Sequence, residues 1–381
     1  MNATRIETAE HVLPGHPDKL CDAAVDAVVE FIRSGDESNP ADPGGQCGLE
    51  ACAVFDEIHL TGRIATTPER HRTLDIPSLV RRTYREAGYG VDAAGYLWGP
   101  DPDRLKVTAR LCDNGFQDGE RESRHLSDDQ AVCIGYARND PGTGYLPPAH
   151  WLARRIARNL FDLRLEKGAG EVGPDGKVLV TVRTDGMAWT PLRVSISLHH
   201  HEGSDWLLLR RFAEEAVEQA CTGLPTPAVA LNGAGMFVLG GPNGDNGLSG
   251  KKLVVDAYGP TVPIGGGAWS GKDLRKVDRL GGLLARSLAL QAVARCGVRE
   301  ALVTLEYTPG CDRPVGISAL LDGREEGDSL LRRLGDPEVR NQAVWEKYAA
   351  WDGALPELAR WGHQVGGVGG EGRPVQNRFS D

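Results

Sequence analysis

The amino-acid sequence predicts a mixed chain, α/β or α+β, built of three similar lobes. Three observations lead there. A length of 381 residues, at roughly 150 per domain, gives two or three domains. Apolar residues recur alternately at helix spacing and at strand spacing. Strand pairs separated by single helices come round about three times along the chain. No repeat of residue identity accompanies this recurrence, so the lobes are alike in pattern only.

Taken in order, Leu20, Ala24, Val28, Phe31 and Ile32 keep the 3.6-residue period of a helix that stops at Gly35, and Ala51–Ile64 fits a hairpin. Leu152, Ile156, Leu160 and Leu163 mark a second helix ahead of Gly168. Val178, Val180 and Val182, then Val194, Ile196 and Leu198, alternate as strands. Leu209, Phe212, Ala216, Val217 and Ala220 form a third helix, and Lys252–Tyr258 is a strand-like run. Val277, Leu284, Leu288 and Ala292 form a fourth helix ending at Gly297, followed by a strand through Leu302, Thr304 and Glu306. The lobes are expected at 1–112, 125–238 and 239–361, with room for strands to cross between them. Residues 362–381 carry no periodicity and are expected to form a mobile tail.

Composition narrows the function. Lys and Arg number 43 against 53 Asp and Glu, a formal net charge of −10, and no basic block exceeds a few residues. Neutralising duplex phosphates needs clustered cations, so nucleic acid is not an expected partner. No stretch approaches the roughly 18 apolar residues of a membrane span, and no apolar run follows Arg5. A cytoplasmic protein without a membrane partner is expected. The 8 cysteines include no CxxC pair, which argues against a zinc ribbon or a disulfide framework. Glycine is the outlier at 49 residues, and Gly233–Gly271 is densest in it, interleaved with Phe237, Val238, Leu239 and Leu248. Such a segment belongs to a folded, loop-rich site.

Two segments carry chemistry. Gly15-His16-Pro17-Asp18-Lys19 enters the first helix, and Asp18, Asp22 and Asp26, four residues apart, share one of its faces. Pro at the first helical position and acidic residues near the helix start have a structural account, favoured for Asp22 and Asp26. An imidazole, a carboxylate and an ammonium beside a helix N-terminus suit a phosphate and a hard cation such as Mg²⁺, the reading favoured for His16, Asp18 and Lys19. In the second segment, glycines let backbone N–H groups approach an anion, and Lys251, Lys252 and Lys272 add charge for a polyphosphate. Gly266–Lys272 has the G-x4-G-K frame of a phosphate loop. Asp273, however, stands where that loop needs Ser or Thr, and no strand precedes it, so a true phosphate loop is rejected. Asp278 is a candidate second metal carboxylate, although alone it would be an ordinary surface charge. His199, His200 and His201 alternate in direction on a strand and read as a solvated strand end. No Gly-x-Ser-x-Gly elbow or cysteine–histidine signature points to covalent catalysis.

Glu10 through Asp26 follows E-S-V-x-E-G-H-P-D-K-x-x-D-x-x-x-D, and Asp129-Gln130 with Gly135-Tyr136-Ala137 follows G-D-Q-G-x-x-x-G-Y-A. Pro174-Asp175-Gly176-Lys177 is similar to a P-D-x-K turn. Gly240 through Gly259 tracks G-G-P-x-G-D-x-G-L-T-G-R-K-x-x-V-D-x-Y-G, and Gly265–Asp273 with Lys276–Arg279 tracks G-G-G-A-F-S-G-K-D and K-V-D-R. In this order, from about residue 10 to 310, these segments resemble the S-adenosylmethionine synthetases, also called methionine adenosyltransferases.

The resemblance implies an α+β fold of three βαββαβ-like lobes in pseudo-threefold arrangement. It also implies a homodimer, or a tetramer, with active sites between subunits. The expected reaction uses ATP, two Mg²⁺ and a K⁺, transfers adenosyl to the sulfur of L-methionine, and cleaves the released triphosphate to phosphate and diphosphate. Carried over residue by residue, His16 sits near the C5′ leaving oxygen, with Lys272 and Asp129 as its catalytic partners. Asp18 and Asp278 hold Mg²⁺, and Glu50 serves K⁺. Lys177, Lys251, Lys252 and Lys272 bind phosphates, Phe237 stacks on adenine, and Asp175, Asp245 and Lys276 complete the ATP site. Glu10, Asp129, Asp245 and Pro309 face the acceptor. Lys251 replaces an Arg, which keeps the charge and loses bidentate recognition. This fits the chemistry, because attack of a thioether on C5′ needs alignment and stabilisation of the leaving group rather than a protein nucleophile.

The departures fall on the amino-acid side. The second Glu of the first signature is Pro14, and the Glu of the G-G-E-[IV] strand end, which meets the substrate ammonium, is Arg63. N-P-T-G-R-F becomes Asn232-Gly233-Ala234-Gly235-Met236-Phe237, and A-I-G becomes Thr308-Pro309-Gly310. The gating-loop Gln has no clear counterpart; Arg110–Arg124 occupies that region with a different composition, and the loop around Asp113–Arg124 is expected to lie over the site. Arg63 reverses a charge, so it is expected to receive an anionic group, with a methionine analogue or another nucleophile as acceptor. An ATP or triphosphate hydrolase is a second enzyme reading. An ATP-binding, non-catalytic partner of an active paralogue is a third, weakened by the survival of His16, Asp18, Lys272 and Asp278.

Overall fold

A computed structural model of the chain describes residues 4–33, 44–168, 170–327, 329–349 and 355–364. Of the expected tail, Gly362–Gln364 are ordered, with the His363 N–H on the Asp256 carbonyl; the rest lies outside the described residues.

Three four-stranded sheets make the frame. The first runs Arg5–Val12, Val172–Asp185, Ala188–His200, Ala228–Leu231, pairing antiparallel, antiparallel, parallel. The second repeats that pattern with Gly247–Leu248, Gln46–Val54, Glu57–Ala65 and Lys106–Cys112. The third, Ala131–Arg138, Glu300–Tyr307, Gly316–Leu321 and Arg324–Glu326, is antiparallel throughout. Each is built on a hairpin flanked in sequence by helices: Pro148–Lys167 and Trp206–Ala220 for the first, Pro17–Arg33 and Ile76–Glu86 for the second, Val277–Cys296 and Asn341–Ala349 for the third. The fold is α+β with three similar lobes, as the spacing predicts.

Each lobe has its own apolar core. Val178, Val180, Val182, Val194 and Ile196 meet Ile156, Leu160 and Phe212 in the first. Leu20, Val28, Leu49, Leu60, Val80 and Tyr84 fill the second, and Leu284, Leu288, Val303, Leu305 and Leu321 the third. Period two puts alternate strand residues inward, and each fully buried aliphatic side chain contributes about 1.5–3 kcal/mol.

One strand of every sheet is supplied by another part of the chain. Residues 5–12 complete the hairpin sheet of the central region, 131–138 that of the C-terminal region, and 247–248 that of the N-terminal region. The strand at 5–12 escapes a reading by periodicity because only its last residues are buried.

Two expectations are corrected. Lys252–Tyr258 holds a helical turn, Leu253–Asp256, rather than a strand, because Asp256 is drawn inward by Lys19 and its N–H closes on the Lys252 carbonyl at 2.9 Å. Pro174–Lys177 is not a turn but part of strand Val172–Asp185, at a register shift between Val172 and Gly176.

The acidic face of helix Pro17–Arg33 stitches the glycine-rich segment to the fold. Asp18 accepts the Leu248 N–H at 2.9 Å, Asp22 the Gly250 N–H at 2.8 Å, and Asp26 the Gly271 N–H at 2.8 Å. Arg279 Nη2 also donates to both Asp26 carboxylate oxygens at 2.8 Å. Burial pushes Asp26 up to about 6 against the pull of Arg279. Gly271 is required at its place: its φ is +84° and a Cβ there would stand 2.0 Å from the Leu49 carbonyl oxygen. Lys19, a phosphate candidate by sequence, is instead fully buried between Asp22 and Asp256.

Candidate active site

The functional candidates gather into two clusters. The first surrounds a cleft of about 360 Å³ lined by His16, Asp175, Lys177, Phe237 and Asp245, together with Gly176, Ser197, Leu239, Gly241 and Gly244. His16 precedes the acidic helix, in a turn held by the Tyr89 hydroxyl on the Gly15 carbonyl at 2.6 Å. The Asp18 N–H donates to His16 Nδ1 at 3.2 Å, so the ring proton sits on Nε2. Burial and then the Lys252 charge lower the His16 pKa to about 3, so the ring is neutral at physiological pH. Asp175 accepts the Gly241 N–H at 2.8 Å, and burial raises it to about 6. Glu10 lies 3.8 Å from Lys177 across the sheet.

Asp18 is 1% exposed. Lys252 Nζ donates to it at 2.6 Å, and Lys251 Nζ lies 3.8 Å away. Its burial favours the neutral form, yet the Lys252 bond and the Leu248 N–H outweigh it and hold the carboxyl below its usual range.

The second cluster lies at the start of helix Val277–Cys296. Lys272 pairs with Asp278, and Lys276 with Asp128. With the Gln46 amide oriented so that its oxygen faces Lys276 Nζ at 3.2 Å, its nitrogen donates to Glu120 Oε1 at 2.5 Å. Arg63 meets Glu120 as a fork, 2.6 and 2.8 Å, with a third bond to the Gly115 carbonyl at 3.1 Å. That fork holds Glu120 below its ordinary pKa. Arg63, expected to await an anionic group, thus finds a carboxylate within its own chain. Glu120 and Gln46 carry no sequence signal; only the fold brings them to Arg63 and Lys276.

The remaining candidates are placed without convergence. Asp129 is exposed, its Oδ1 on the Gln130 N–H at 2.8 Å. Pro309 is exposed in a turn tied by the Gly310 N–H to the Ser127 carbonyl at 2.8 Å. Glu50 is exposed on strand Gln46–Val54 opposite Thr61. Among the described residues no group of three or more His, Cys, Asp or Glu converges as a metal site, and no hydrogen bond or ion pair joins a side chain of one cluster to the other. The histidine run is corrected too: His199 and His200 are buried against Trp98, Phe237 and Trp206 rather than solvated.

The Arg63–Glu120 fork fastens the segment 113–127, which is also held by Arg124 on Asp273 at 2.7 Å. Arg63→Ala is expected to speed trypsin cleavage at Arg121 about tenfold, since a charge-assisted fork contributes about 1.5–3 kcal/mol to keeping the segment closed. The charge exchange Arg63→Glu with Glu120→Arg should restore much of the protection. An unchanged digestion rate in Arg63→Ala would show that the fork does not fasten the segment.

Three similar lobes, with lysine–carboxylate pairs set on a glycine-rich segment beside a His-Pro-Asp helix start, define the α+β protein. Family models extend this over most of the chain. The N-terminal domain of S-adenosylmethionine synthetase matches residues 4–107, the central domain 125–235 and the C-terminal domain 239–347. The chain belongs to the S-adenosylmethionine synthetase family. It is 33% identical to the S-adenosylmethionine synthase of Mycolicibacterium gilvum over 87% of this chain and 85% of that one. With the proteins of the same name from Petrotoga mobilis and Methylobacterium nodulans the identities are 32% and 34%, covering 84% and 86% of this chain and 83% and 84% of theirs.

Proposed function

We propose that the protein transfers the adenosyl group of ATP to the sulfur of L-methionine, forming S-adenosylmethionine, and cleaves the released triphosphate to diphosphate and phosphate. The observation that carries this is the cleft that unites His16, Asp175, Lys177, Phe237 and Asp245 beside the Asp18–Lys252 pair. A sulfur lone pair attacks C5′, and the C5′–O bond breaks with its electrons leaving on the triphosphate. The enzyme's tasks are alignment and stabilisation of that leaving charge. Neutral His16, with its proton on Nε2, donates to the departing oxygen. Lys177, Lys251 and Lys252 on one side, and Lys272 and Lys276 on the other, hold the phosphates. Phe237 takes the adenine face; Glu10, Asp129, Asp245 and Pro309 lie toward the acceptor.

Mg²⁺ is bound through one or two carboxylates plus substrate phosphates. Asp18 and Asp278 fit that demand, each a single carboxylate already faced by a phosphate-binding lysine. When bound, the two ions would neutralise triphosphate oxygens; a K⁺ would be served by Glu50. The two unconnected clusters support complementary half-sites completed across a homodimer, with a tetramer as an extension of it. No described helix is long and apolar enough to cross a membrane.

The test is mass spectrometry and phosphate analysis of the purified protein with ATP, Mg²⁺ and K⁺, with and without L-methionine. S-adenosylmethionine with diphosphate and phosphate over many turnovers is the expected result. ATP cleavage without that product would assign a hydrolase or another acceptor, and inertness would assign a non-catalytic partner.

A further inference from the structure

We infer that His199 and His200 are positioning residues for base recognition: together they set the place and tilt of the Phe237 ring, the aromatic wall of the cleft. The inference rests on the ATP reading above. Among the described residues, 233–239 belong to no helix or strand, and Met236, Val238 and Leu239 around Phe237 are exposed. A ring in such a loop would stack weakly, because every contact would first have to overcome the loop's own freedom.

His200 removes that freedom from the backbone. Its N–H donates to the Phe237 carbonyl at 3.0 Å, and its Nε2 accepts the Phe237 N–H at 3.0 Å. Its Nδ1 faces the His201 carbonyl at 2.9 Å, so the ring proton sits on Nδ1 and Nε2 is left as the acceptor Phe237 requires. Both nitrogens are committed, in one tautomer, at a site only 2% exposed.

His199 acts on the ring. Its imidazole lies 5.6 Å from the Phe237 ring centroid at a 42° tilt, and Trp98 closes on it edge-on at 5.0 Å. Gly173 and Gly240 complete the slot. A Cβ at either would stand 2.3 or 2.6 Å from His199 ring atoms, so the imidazole has no room to turn. Burial lowers its pKa to about 4, leaving a neutral, apolar-faced plate against the Phe237 ring. A run that reads in sequence as a polar strand end is thus a wedge behind the base wall.

The experiment compares two probes by calorimetry on the full chain: a non-hydrolysable ATP analogue, which has a base, and inorganic tripolyphosphate, which has none. His200→Leu is expected to weaken the ATP analogue about tenfold and leave tripolyphosphate unchanged. Gln carries an acceptor near the place of Nε2 and Asn one near Nδ1, so His200→Gln should recover most of the affinity and His200→Asn should not. Combining His200→Leu with Phe237→Ala should cost no more than Phe237→Ala alone. Equal loss for both probes would assign His200 a structural role and overturn the inference. So would an unchanged analogue affinity in His200→Leu, or indistinguishable Gln and Asn variants, where Phe237→Ala does weaken it. If Phe237→Ala leaves the analogue's affinity intact, the base-stacking reading falls first and takes this inference with it.

Discussion

Lys272→Met is expected to lower kcat for adenosyl transfer by about 10²–10³-fold, the usual consequence of removing one preorganised charge from a developing anion. Lys272 is fixed before any ligand arrives. A backbone bridge joins it to Gly48, its N–H bonds the Trp269 carbonyl at 3.1 Å, and its ammonium rests on Asp278. A charge held this way needs no reorganisation when the triphosphate leaves, which is why its effect belongs in kcat. The KM for L-methionine should stay within about threefold, because binding that is equal in ground and transition states does not change kcat. Lys272→Arg should retain part of the rate, keeping the charge in a different shape. Steady-state assays of both variants decide the matter. A loss smaller than tenfold in Lys272→Met would reduce Lys272 to a counter-ion for Asp278.

The second large effect is on stability. Lys19→Met should cost about 3–5 kcal/mol in urea denaturation, because it strands two buried carboxylates. Lys19 is fully buried, donates to Asp22 at 3.2 Å and pairs with Asp256. Burial raises Asp256 to about 7 even with Lys19 beside it, the ammonium pulling it down. A carboxyl raised in the folded state binds more protons folded than unfolded between its unfolded pKa and about 7, so its share of stability falls as pH rises through that window. Without Lys19 the window moves higher. The deficit of Lys19→Met should therefore shrink on lowering the pH from 8 to 6, and adding Asp256→Asn should recover part of it. A deficit that is flat with pH would mean that Asp256 is not the group left charged.

The same helix shows what the sequence makes legible. Its 3.6-residue apolar stripe announces Pro17–Arg33, and the four-residue spacing of Asp18, Asp22 and Asp26 announces a shared face. What that face touches is decided by Leu248, Gly250 and Gly271, more than two hundred residues away, and no local pattern encodes such partners. The hairpins are legible because buried and exposed residues alternate on them. Strand Arg5–Val12 is not, since its outer half is exposed, and Lys252–Tyr258 misleads because one buried charge pair outweighs strand propensity. At the site, the lysines and His-Pro-Asp-Lys are legible as chemistry. Glu120 is not: its role depends wholly on where the segment 113–127 comes to rest against Arg63. The histidine run was readable only as polarity, because the packing that makes it apolar in effect comes from Trp98, Gly173 and Gly240.

The cyclic exchange of strands bears on the order in which the chain can be assembled as it is synthesised. Domains ordinarily complete in the order of their appearance, N-terminal first. Here the sheet that opens with Arg5–Val12 has all its strands once Leu231 is made, whereas the hairpin at 46–65 waits for Leu248 and the third sheet for Glu326. The middle of the protein thus finishes before its beginning. A break at either junction between lobes severs two of the three sheets, so the chain is three lobes in shape but a single unit in cooperativity.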